Sequence, residues 1–431
     1  MSEQVKVLCF FLSRKKSLSS GRCAGPSFLK KRSKKLLLVV CVALFGGVAH
    51  ATDGKYLARM ADCAACHMGS DGTLSGGRAF KTPFGTIYAT NITPDAEHGV
   101  GGYTDDEWVR ALQQGVARGG KHLYPAMPYA NYTLMTREDA LAIKAYVMTL
   151  PASAAAPPAN QMRFPFNIRW LMVFWNWLYN PDHRLAPDST HDAAWNRGAY
   201  LAEALGHCQQ CHTPRNFLQG PKKLQAYAGA VQQGWMAYNI TSDAQTGIGA
   251  WSQADLATYL SSGHADGHGP ASGPMAEAVS YSLRYLTGED AQALAAYLKT
   301  IPARQTTPLP PPVHVAEDDL GARIYEGACA SCHRLDGTGT ETPYAALAGD
   351  QTAMDPAGIN LVRMLMTGGA VTSGQGSFAM PGFARGYTDA EIAAVANYTI
   401  EHIGQRVGRV TPGAVAKLRS EVPAAPGGAG T

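Results

Sequence analysis

Three short segments of the chain carry the same pattern of two thiols and one imidazole. In each, two residues separate a pair of cysteines, and a histidine directly follows the second cysteine. This C-x-x-C-H pattern attaches haem c, because one helical turn brings both thiols to the vinyl groups and the histidine can bind the iron as proximal ligand. The pattern predicts three covalently bound haem c groups, at Cys63-Ala-Ala-Cys66-His67, Cys208-Gln-Gln-Cys211-His212 and Cys329-Ala-Ser-Cys332-His333.

Paired cysteines have other uses, which explain the pattern less well. An exported protein can join six cysteines in disulfides, and a C-x-x-C pair can bind zinc or carry out thiol redox chemistry. Neither use requires a histidine after every pair. The remaining cysteines, Cys9, Cys23 and Cys41, lie in an N-terminal segment that we expect to be removed.

Each iron also needs a second axial ligand or an open position. A methionine ligand raises the reduction potential and suits electron transfer. Each predicted haem segment contains one methionine beside a proline, which we expect to stiffen an extended loop; these candidates are Met127, Met275 and Met380. Rival ligands remain open in the first segment (His122) and in the second (His264 and His268).

Residues around the second attachment site suggest the walls of a pocket. A backbone carbonyl near Pro214 is a candidate to accept the ring N–H of His212 and fix its orientation. Arg215 is either a partner of a haem propionate or an ordinary surface arginine. Trp235 and Trp251 are expected to be pocket walls or plain core.

An internal repeat predicts the elements that hold these sites. Each cysteine pair follows a short segment that begins at a glycine: Gly54, Gly198 or Gly321. A helix is predicted to close each unit, over Glu138 to Leu150, Glu289 to Ile301 and Asp389 to His402. Capping boxes at Thr104-x-x-Glu107 and Thr388-x-x-Glu391 predict further helix starts.

The predicted fold is all-α, with three tandem cytochrome c-like haem domains joined by Pro-rich linkers. The boundaries follow the repeat and the composition. They are 1–51 for an N-terminal extension with a signal peptide, 52–150 for domain 1, 151–191 for a linker with an aromatic segment, 192–302 for domain 2, 303–316 for a Pro-rich linker, 317–405 for domain 3 and 406–431 for a disordered tail.

Composition and the N-terminus bear on location. An apolar content of 46% supports a globular chain, and a net charge of +4 without a basic stripe gives no support for nucleic-acid binding. A basic cluster at 30–35, an apolar run at 36–48 and Ala49-His50-Ala51 together predict a cleaved secretory signal. We therefore expect a periplasmic protein, on the outer face of the cytoplasmic membrane.

Several motifs resemble those of a known family, the tri-haem cytochrome c subunit of membrane-bound bacterial dehydrogenase complexes that oxidise alcohols, gluconate, sugars or aldehydes. The resemblance spans about residues 52–405. It is carried by Asn91-Ile-Thr-Pro94 with Gly101-Gly-Tyr-Thr104, by Pro125-Ala-Met-Pro128, by Gly273-Pro-Met-Ala276, and by Phe164-Pro-Phe-Asn167 with Arg169-Trp170 and Trp175-Asn-Trp177.

The resemblance implies that electrons come from a catalytic subunit of flavin, pyrroloquinoline quinone or molybdopterin type. It implies that they leave to ubiquinone or a terminal oxidase, with peripheral contact to the inner membrane. The residues agree that the chain alone does not oxidise substrate, since no nucleotide-binding loop or catalytic triad is evident. The alternatives are a self-contained multi-haem peroxidase or sulfur-compound dehydrogenase, and a free multi-haem carrier.

The linker contains an aromatic segment, from Phe164 to Tyr179, which holds three tryptophans and three phenylalanines with Arg163 and Arg169 close by. It is too short to cross a bilayer end to end. Such a segment suits the membrane interface or quinone contact, a protein partner, or the core, and the sequence leaves these three roles open.

Overall fold

The computed structural model of the chain describes residues 53–304, 319–340 and 342–421. The predicted signal peptide, most of the predicted linker at 303–316 and the last ten residues lie outside this part. Within it, we find no helix that combines the length and apolar character needed to cross a membrane.

The first unit is built from short helices and two small hairpins. The helix α3 begins at the predicted capping box, in which the Thr104 side chain accepts from the Glu107 N–H and the Glu107 carboxylate accepts from the Thr104 N–H. The helices are α1 (Gly54–Met60), α2 (Cys63–His67), α3 (Asp105–Gln114), α4 (Tyr129–Tyr132) and α5 (Arg137–Val147), and the strands are β1 (Ala79–Thr82), β2 (Gly85–Tyr88), β3 (Val116–Ala117) and β4 (Lys121–His122).

The linker is ordered against the first unit. The Asn91 amide donates hydrogen bonds to the carbonyl oxygens of Ser153, at 2.7 Å, and Ala155, at 3.0 Å. The strand β5 (Gln161–Met162) adds to the first hairpin, giving a sheet of order β1-β2-β5. A 3-10 turn (Arg169–Leu171) then leads into helix α6 (Met172–Tyr179).

The second unit repeats the plan of the first. Its opening helix is capped by Asp192 and runs on as a π-helical turn over Tyr200–Leu205. The helices are α7 (Ala193–Ala199), α8 (Gln209–His212), α9 (Gln253–Ser262), α10 (Gly273–Tyr281) and α11 (Gly288–Thr300), and the strands are β6 (Ala230–Gln232), β7 (Trp235–Ala237), β8 (His264–Ala265) and β9 (Gly269–Pro270).

The third unit has the longest hairpin, in which Gly369 pairs with Met380 and Ser373 with Gly376. Its closing helix has the predicted bounds. The helices are α12 (Asp319–Ala328), α13 (Ala330–His333), α14 (Gln351–Met354), α15 (Ile359–Thr367), α16 (Asp389–His402) and α17 (Pro412–Glu421), and the strands are β10 (Gly369–Ser373) and β11 (Gly376–Met380).

Two features depart from the sequence-based expectation. The fold is mostly helical rather than purely all-α, because short antiparallel strands form in the Gly-rich loops. The tail predicted to be disordered from 406 instead contains α17. That helix buries Val415 and is held by Arg419, which donates to Asp389 at 2.7 Å. The disorder prediction was wrong for these residues. It relied on the Ala- and Gly-rich composition, which does not show the tertiary contacts that hold α17.

In each unit, the opening helix crosses the predicted closing helix at a glycine: α1 crosses α5, α7 crosses α11 and α12 crosses α16. A Cβ atom on Gly54 would lie 2.0 Å from the Ala142 carbonyl oxygen, and one on Gly198 would lie 2.0 Å from that of Ala293. The corresponding distance from Gly321 to the Ala394 oxygen is 2.6 Å. The repeated glycine therefore lets two helix backbones approach where any side chain would collide.

The apolar core has two main parts. One is continuous through the first two units and includes Leu57, Ile143, Leu201 and Leu294. The other lies in the third unit, around residues such as Ile392.

The third unit packs on the second through a small apolar cluster that includes Val279 and Val371. One asparagine adds a pair of hydrogen bonds at this junction. The side-chain oxygen of Asn360 accepts from the Met236 N–H at 2.8 Å, and its amide donates to the Met236 carbonyl at 2.9 Å. Asn360 thus pairs with strand β7 as a neighbouring strand would.

Candidate haem-binding sites

The three attachment patterns fall at equivalent places. Each histidine ends a very short helix, α2, α8 or α13, that directly follows the opening helix of its unit. One helical turn therefore holds both cysteines and the histidine, as the spacing requires. The six cysteines of the described residues, at 63, 66, 208, 211, 329 and 332, are not joined in disulfides.

The ring orientation of each attachment histidine is set by a backbone carbonyl. The Nδ1 atom of His67 lies 2.7 Å from the Thr90 oxygen, and that of His212 lies 2.6 Å from the Tyr238 oxygen. In the third unit a carbonyl at position 345 accepts from His333 at 2.7 Å. A carbonyl only accepts, so Nδ1 carries the proton and Nε2 keeps a free lone pair.

The state of these histidines suits iron ligation. Burial lowers the pKa of His67, His212 and His333, which keeps the imidazoles neutral. A neutral ring whose second nitrogen is fixed by a carbonyl is the usual form of a metal-ligating histidine.

The carbonyl that holds His212 differs from the expected one. We predicted a carbonyl near Pro214, but the acceptor is Tyr238, 26 residues after the histidine. A sequence signal was available, because the accepting residues in the first two units directly precede the repeated Asn-Ile-Thr at Asn91 and Asn239. Each asparagine closes a tight turn, accepting from the N–H two residues on at 2.8 Å and 2.9 Å respectively.

Four of the six thiols are not set up for thiol–disulfide exchange. Burial raises the pKa of Cys63 and of Cys208 to about 12, and that of Cys66 and of Cys329 to about 11. Thioredoxin-like chemistry requires a thiolate with a lowered pKa. No three His, Cys, Asp or Glu side chains of the described ranges are grouped to hold a bare metal ion.

The first two attachment sites open into one cavity of about 2300 Å³. That exceeds the roughly 300–1,000 Å³ of an ordinary ligand pocket. The first two units each contribute both cysteines, the histidine and the candidate methionine to the cavity lining: Cys63, Cys66, His67, Met127, Cys208, Cys211, His212 and Met275. Haem c needs two thiols for its covalent links to the vinyl groups and an imidazole for its iron, and a methionine sulfur is a common second iron ligand, so the residues fit that group.

The candidate methionines do not share one local structure. Met127 lies in a loop that turns rather than running extended, since its N–H donates to the Tyr124 carbonyl at 3.1 Å. Met275 lies in the first turn of α10, and Met380 ends strand β11. Pro274 is the second residue of α10, where its missing N–H costs nothing because the first helical turn leaves those groups without an intrahelical partner. Met380 packs against the core of the third unit, as does Cys329.

The three histidines considered as alternative iron ligands differ in whether they line the cavity. His268 lines the cavity and stacks on Trp251, with ring centroids 3.6 Å apart. His122, on β4, and His264, on β8, are not among the described residues that line it.

The sequence leaves two roles open for Trp235 and Trp251, pocket wall or plain core, and Arg215 is expected to be a propionate partner or a surface residue. Trp235, Trp251 and Arg215 all line the cavity. The Arg215 guanidinium also donates to the Gln210 carbonyl at 2.9 Å, within the segment that carries the second attachment site.

Comparisons with known proteins agree with this arrangement. A family model described as Cytochrome c matches residues 51–151 and 319–399, which contain the first and third attachment sites. The chain is 40% identical to the fructose dehydrogenase cytochrome subunit of Gluconobacter japonicus, over 85% of this chain and 82% of that one.

Two further relatives have similar coverage. The cytochrome c subunit of alcohol dehydrogenase (quinone) from Gluconobacter oxydans is 34% identical, over 91% of this chain and 89% of the relative. The gluconate 2-dehydrogenase cytochrome c subunit of Pantoea cypripedii is 36% identical, over 85% and 89%.

These matches and the attachment turns define the class: the protein is a c-type cytochrome, and its cofactor is haem c. Within that class, the chain belongs to the family of cytochrome c subunits of fructose, alcohol and gluconate dehydrogenases. The resemblance drawn from the sequence is thereby confirmed.

Proposed function

We propose that the chain is the electron-transfer subunit of a membrane-bound bacterial dehydrogenase complex. It accepts electrons from a catalytic subunit that oxidises an alcohol, sugar, sugar acid or aldehyde, and passes them to membrane ubiquinone or a terminal oxidase. The observation that carries this proposal is the similarity, across most of the chain, to cytochrome subunits of three different dehydrogenases.

The proposed sites follow the repeated geometry. Haem c supplies a one-electron iron couple when bound. In each unit the cysteine pair forms the covalent links, the carbonyl-bound histidine presents Nε2, and the methionine supplies the second axial sulfur. The proposed axial residues are His67 with Met127, His212 with Met275, and His333 with Met380.

The proposed number of haems is three, one in each domain at 52–150, 192–302 and 317–405. The equivalent glycine crossings and histidine–carbonyl bonds of the three units support this division. Intact mass spectrometry of the mature protein tests it. The expected mass includes three haems, and a mass matching two or fewer would contradict the proposal.

The proposed location is the periplasm, on the outer face of the cytoplasmic membrane, with the catalytic subunit of flavin, pyrroloquinoline quinone or molybdopterin type. The predicted secretory signal supports export, and haem c is attached on that side of the membrane. Affinity purification from a native host should recover the catalytic subunit with the cytochrome. Recovery of the cytochrome alone under mild detergent would favour the free carrier.

The second candidate, a self-contained oxidoreductase, makes the opposite prediction about the isolated chain. Methionine ligation of every iron leaves no open position for a substrate. We therefore expect the purified cytochrome alone to show no turnover of alcohols, sugars or aldehydes. The cytochrome should be reduced once its catalytic subunit and substrate are added together, and steady turnover by the chain alone would refute the subunit role.

A further inference from the structure

The aromatic segment of the linker is not part of the core. The side chains of Trp170 and Trp177 are 61% and 81% exposed, and Phe174 is also exposed. Trp175 is the exception, being buried with its indole N–H donating to the Leu218 carbonyl at 3.0 Å. Helix α6 is therefore anchored by one tryptophan and presents Phe174, Trp177 and Leu178 outward.

A loop of the second unit extends this exposed surface. Besides the Trp175 contact, the Asn216 amide donates to the Tyr179 hydroxyl at 2.9 Å, and Gly220 lies against the Tyr179 ring. The side chain of Phe217 is 84% exposed. We call the combined surface the aromatic face, made of Phe164, Phe166, Ile168, Trp170, Val173, Phe174, Trp177, Leu178, Phe217 and Leu218, all exposed.

The charged residues within the two stretches that form the aromatic face are all positive. The two stretches that contribute to it, 160–181 and 213–226, contain arginines and lysines but no aspartate or glutamate. Arg163, Lys222 and Lys223 are exposed. An exposed apolar patch of this extent marks an interaction site, and the exposed cationic side chains within its own stretches favour an anionic partner.

We propose that the aromatic face docks on the surface of an anionic lipid bilayer. Tryptophan and phenylalanine suit the level of the headgroups, and arginine and lysine are attracted to anionic lipids. An α6 of eight residues is about 12 Å long, far short of the roughly 30 Å of hydrocarbon, so the segment lies in the interface. This inference deepens the proposed function, on which it rests for its biological setting.

The position of the aromatic face connects the bilayer with the haem-binding cavity. Phe174, Leu178, Phe217 and Leu218 are exposed on the face and also line the cavity. A docked protein thereby holds the mouth of this cavity against the lipid. An apolar acceptor dissolved in the membrane then reaches the cavity without crossing water.

Vesicle co-sedimentation of the purified full-length holoprotein tests the proposal. Native protein should bind phosphatidylglycerol vesicles strongly and phosphatidylcholine vesicles weakly, more so at low salt. Trp170→Ser with Trp177→Ser should lower binding at least tenfold, since both side chains are exposed on the aromatic face. Neither side chain lines the cavity, so this variant leaves the cavity lining unchanged. Lys222→Gln with Lys223→Gln should weaken binding to phosphatidylglycerol alone, by about fivefold per lysine. Val407→Ser, an exposed apolar side chain elsewhere, should leave binding unchanged.

A second measurement needs no substitution. With a photoactivatable lipid in the vesicles, labelled peptides of the native protein should map to 164–179 and 213–226. Labelling elsewhere, or tryptophan variants that bind vesicles as the native protein does, would overturn the proposal. So would variants that keep vesicle binding but lose the catalytic subunit, since that outcome makes the face a protein interface. Reduction by the catalytic subunit and substrate in detergent tests the proposed function separately, and the variants should retain it.

Discussion

The hydroxyl of Tyr56 lies 2.5 Å from a carboxylate oxygen of Asp290, 234 residues further along the chain. The same contact is made with the two units exchanged: the Tyr200 hydroxyl of the second unit donates to Asp139 of the first at 2.6 Å. Both tyrosines hold the same place in the repeated Gly-x-Tyr-Leu, and both aspartates lie three residues after a threonine N-cap. The first two units therefore exchange equivalent hydrogen bonds beside the apolar core that they share.

We predict that removing either hydroxyl destabilises the pair of units. Tyr56→Phe and Tyr200→Phe each remove a donor to a partly buried carboxylate, so the free energy of unfolding should fall by about 1–3 kcal/mol. Burial, reinforced by Asp290, raises the pKa of Tyr56 to about 12, so the donor stays protonated at ordinary pH. Denaturant unfolding of the holoprotein measures the loss. Tyr281→Phe, at an exposed position, serves as control, and equal stability of all three variants would contradict the prediction.

A pair of glycines in helix α12 tests the helix crossing. A Cβ atom on Gly321 would lie 2.6 Å from the Ala394 oxygen, whereas one on Gly327 would meet nothing within 4 Å. Gly321→Ala should lower the free energy of unfolding by about 1–3 kcal/mol through overpacking. Gly327→Ala should instead raise it by up to about 1 kcal/mol through helix propensity. Thermal unfolding of the two variants decides the matter, and a stabilised Gly321→Ala would show that the helices can move apart.

The sequence was most informative where chemistry imposes a fixed local pattern. The attachment turns and the capping box at Thr104 appear where predicted, and α16 has its predicted bounds, because each depends on residues a few positions apart. The Tyr238 carbonyl that holds His212 was missed because the contact closes only when a distant loop folds back. Met275 lies in a helix rather than an extended loop, since Pro274 is compatible with both and the packing of α10 decides.

The methionine assignments predict a spectroscopic loss. Met127→Ala, Met275→Ala and Met380→Ala should each remove about one third of the near-infrared band of thioether-to-iron charge transfer, because each deletes one axial sulfur. Met148→Ala provides a matched control. Met148 packs against the same core as Met127 but does not line the cavity. A band that stays unchanged in all three ligand variants, with haem content retained, would show that other residues are the ligands.

The last prediction concerns Asp350, a buried carboxyl that lines the cavity from the third unit. It accepts a hydrogen bond from the Thr352 N–H at 2.8 Å. Burial nevertheless raises the pKa of Asp350 to about 7, against about 3.9 for an unfolded chain. Between these values the folded protein keeps a proton that the unfolded chain has released. The contribution of Asp350 to stability is therefore full below about pH 4 and is lost as the pH rises towards 7, by roughly 4 kcal/mol in total.

Asp350→Asn keeps the acceptor for Thr352 but stays neutral at every pH. Denaturant unfolding should therefore find the variant and the native protein similar near pH 4.5, and the variant more stable by a few kcal/mol near pH 8. Asp336→Asn is the control, because the pKa of Asp336 is shifted in the opposite direction to that of Asp350. Hydrogen bonds from Thr338 lower the pKa of that exposed carboxyl, so its replacement should not stabilise the protein at high pH. If the difference between Asp350→Asn and the native protein does not grow from pH 4.5 to pH 8, the carboxyl is ionised in the folded state and the prediction is wrong.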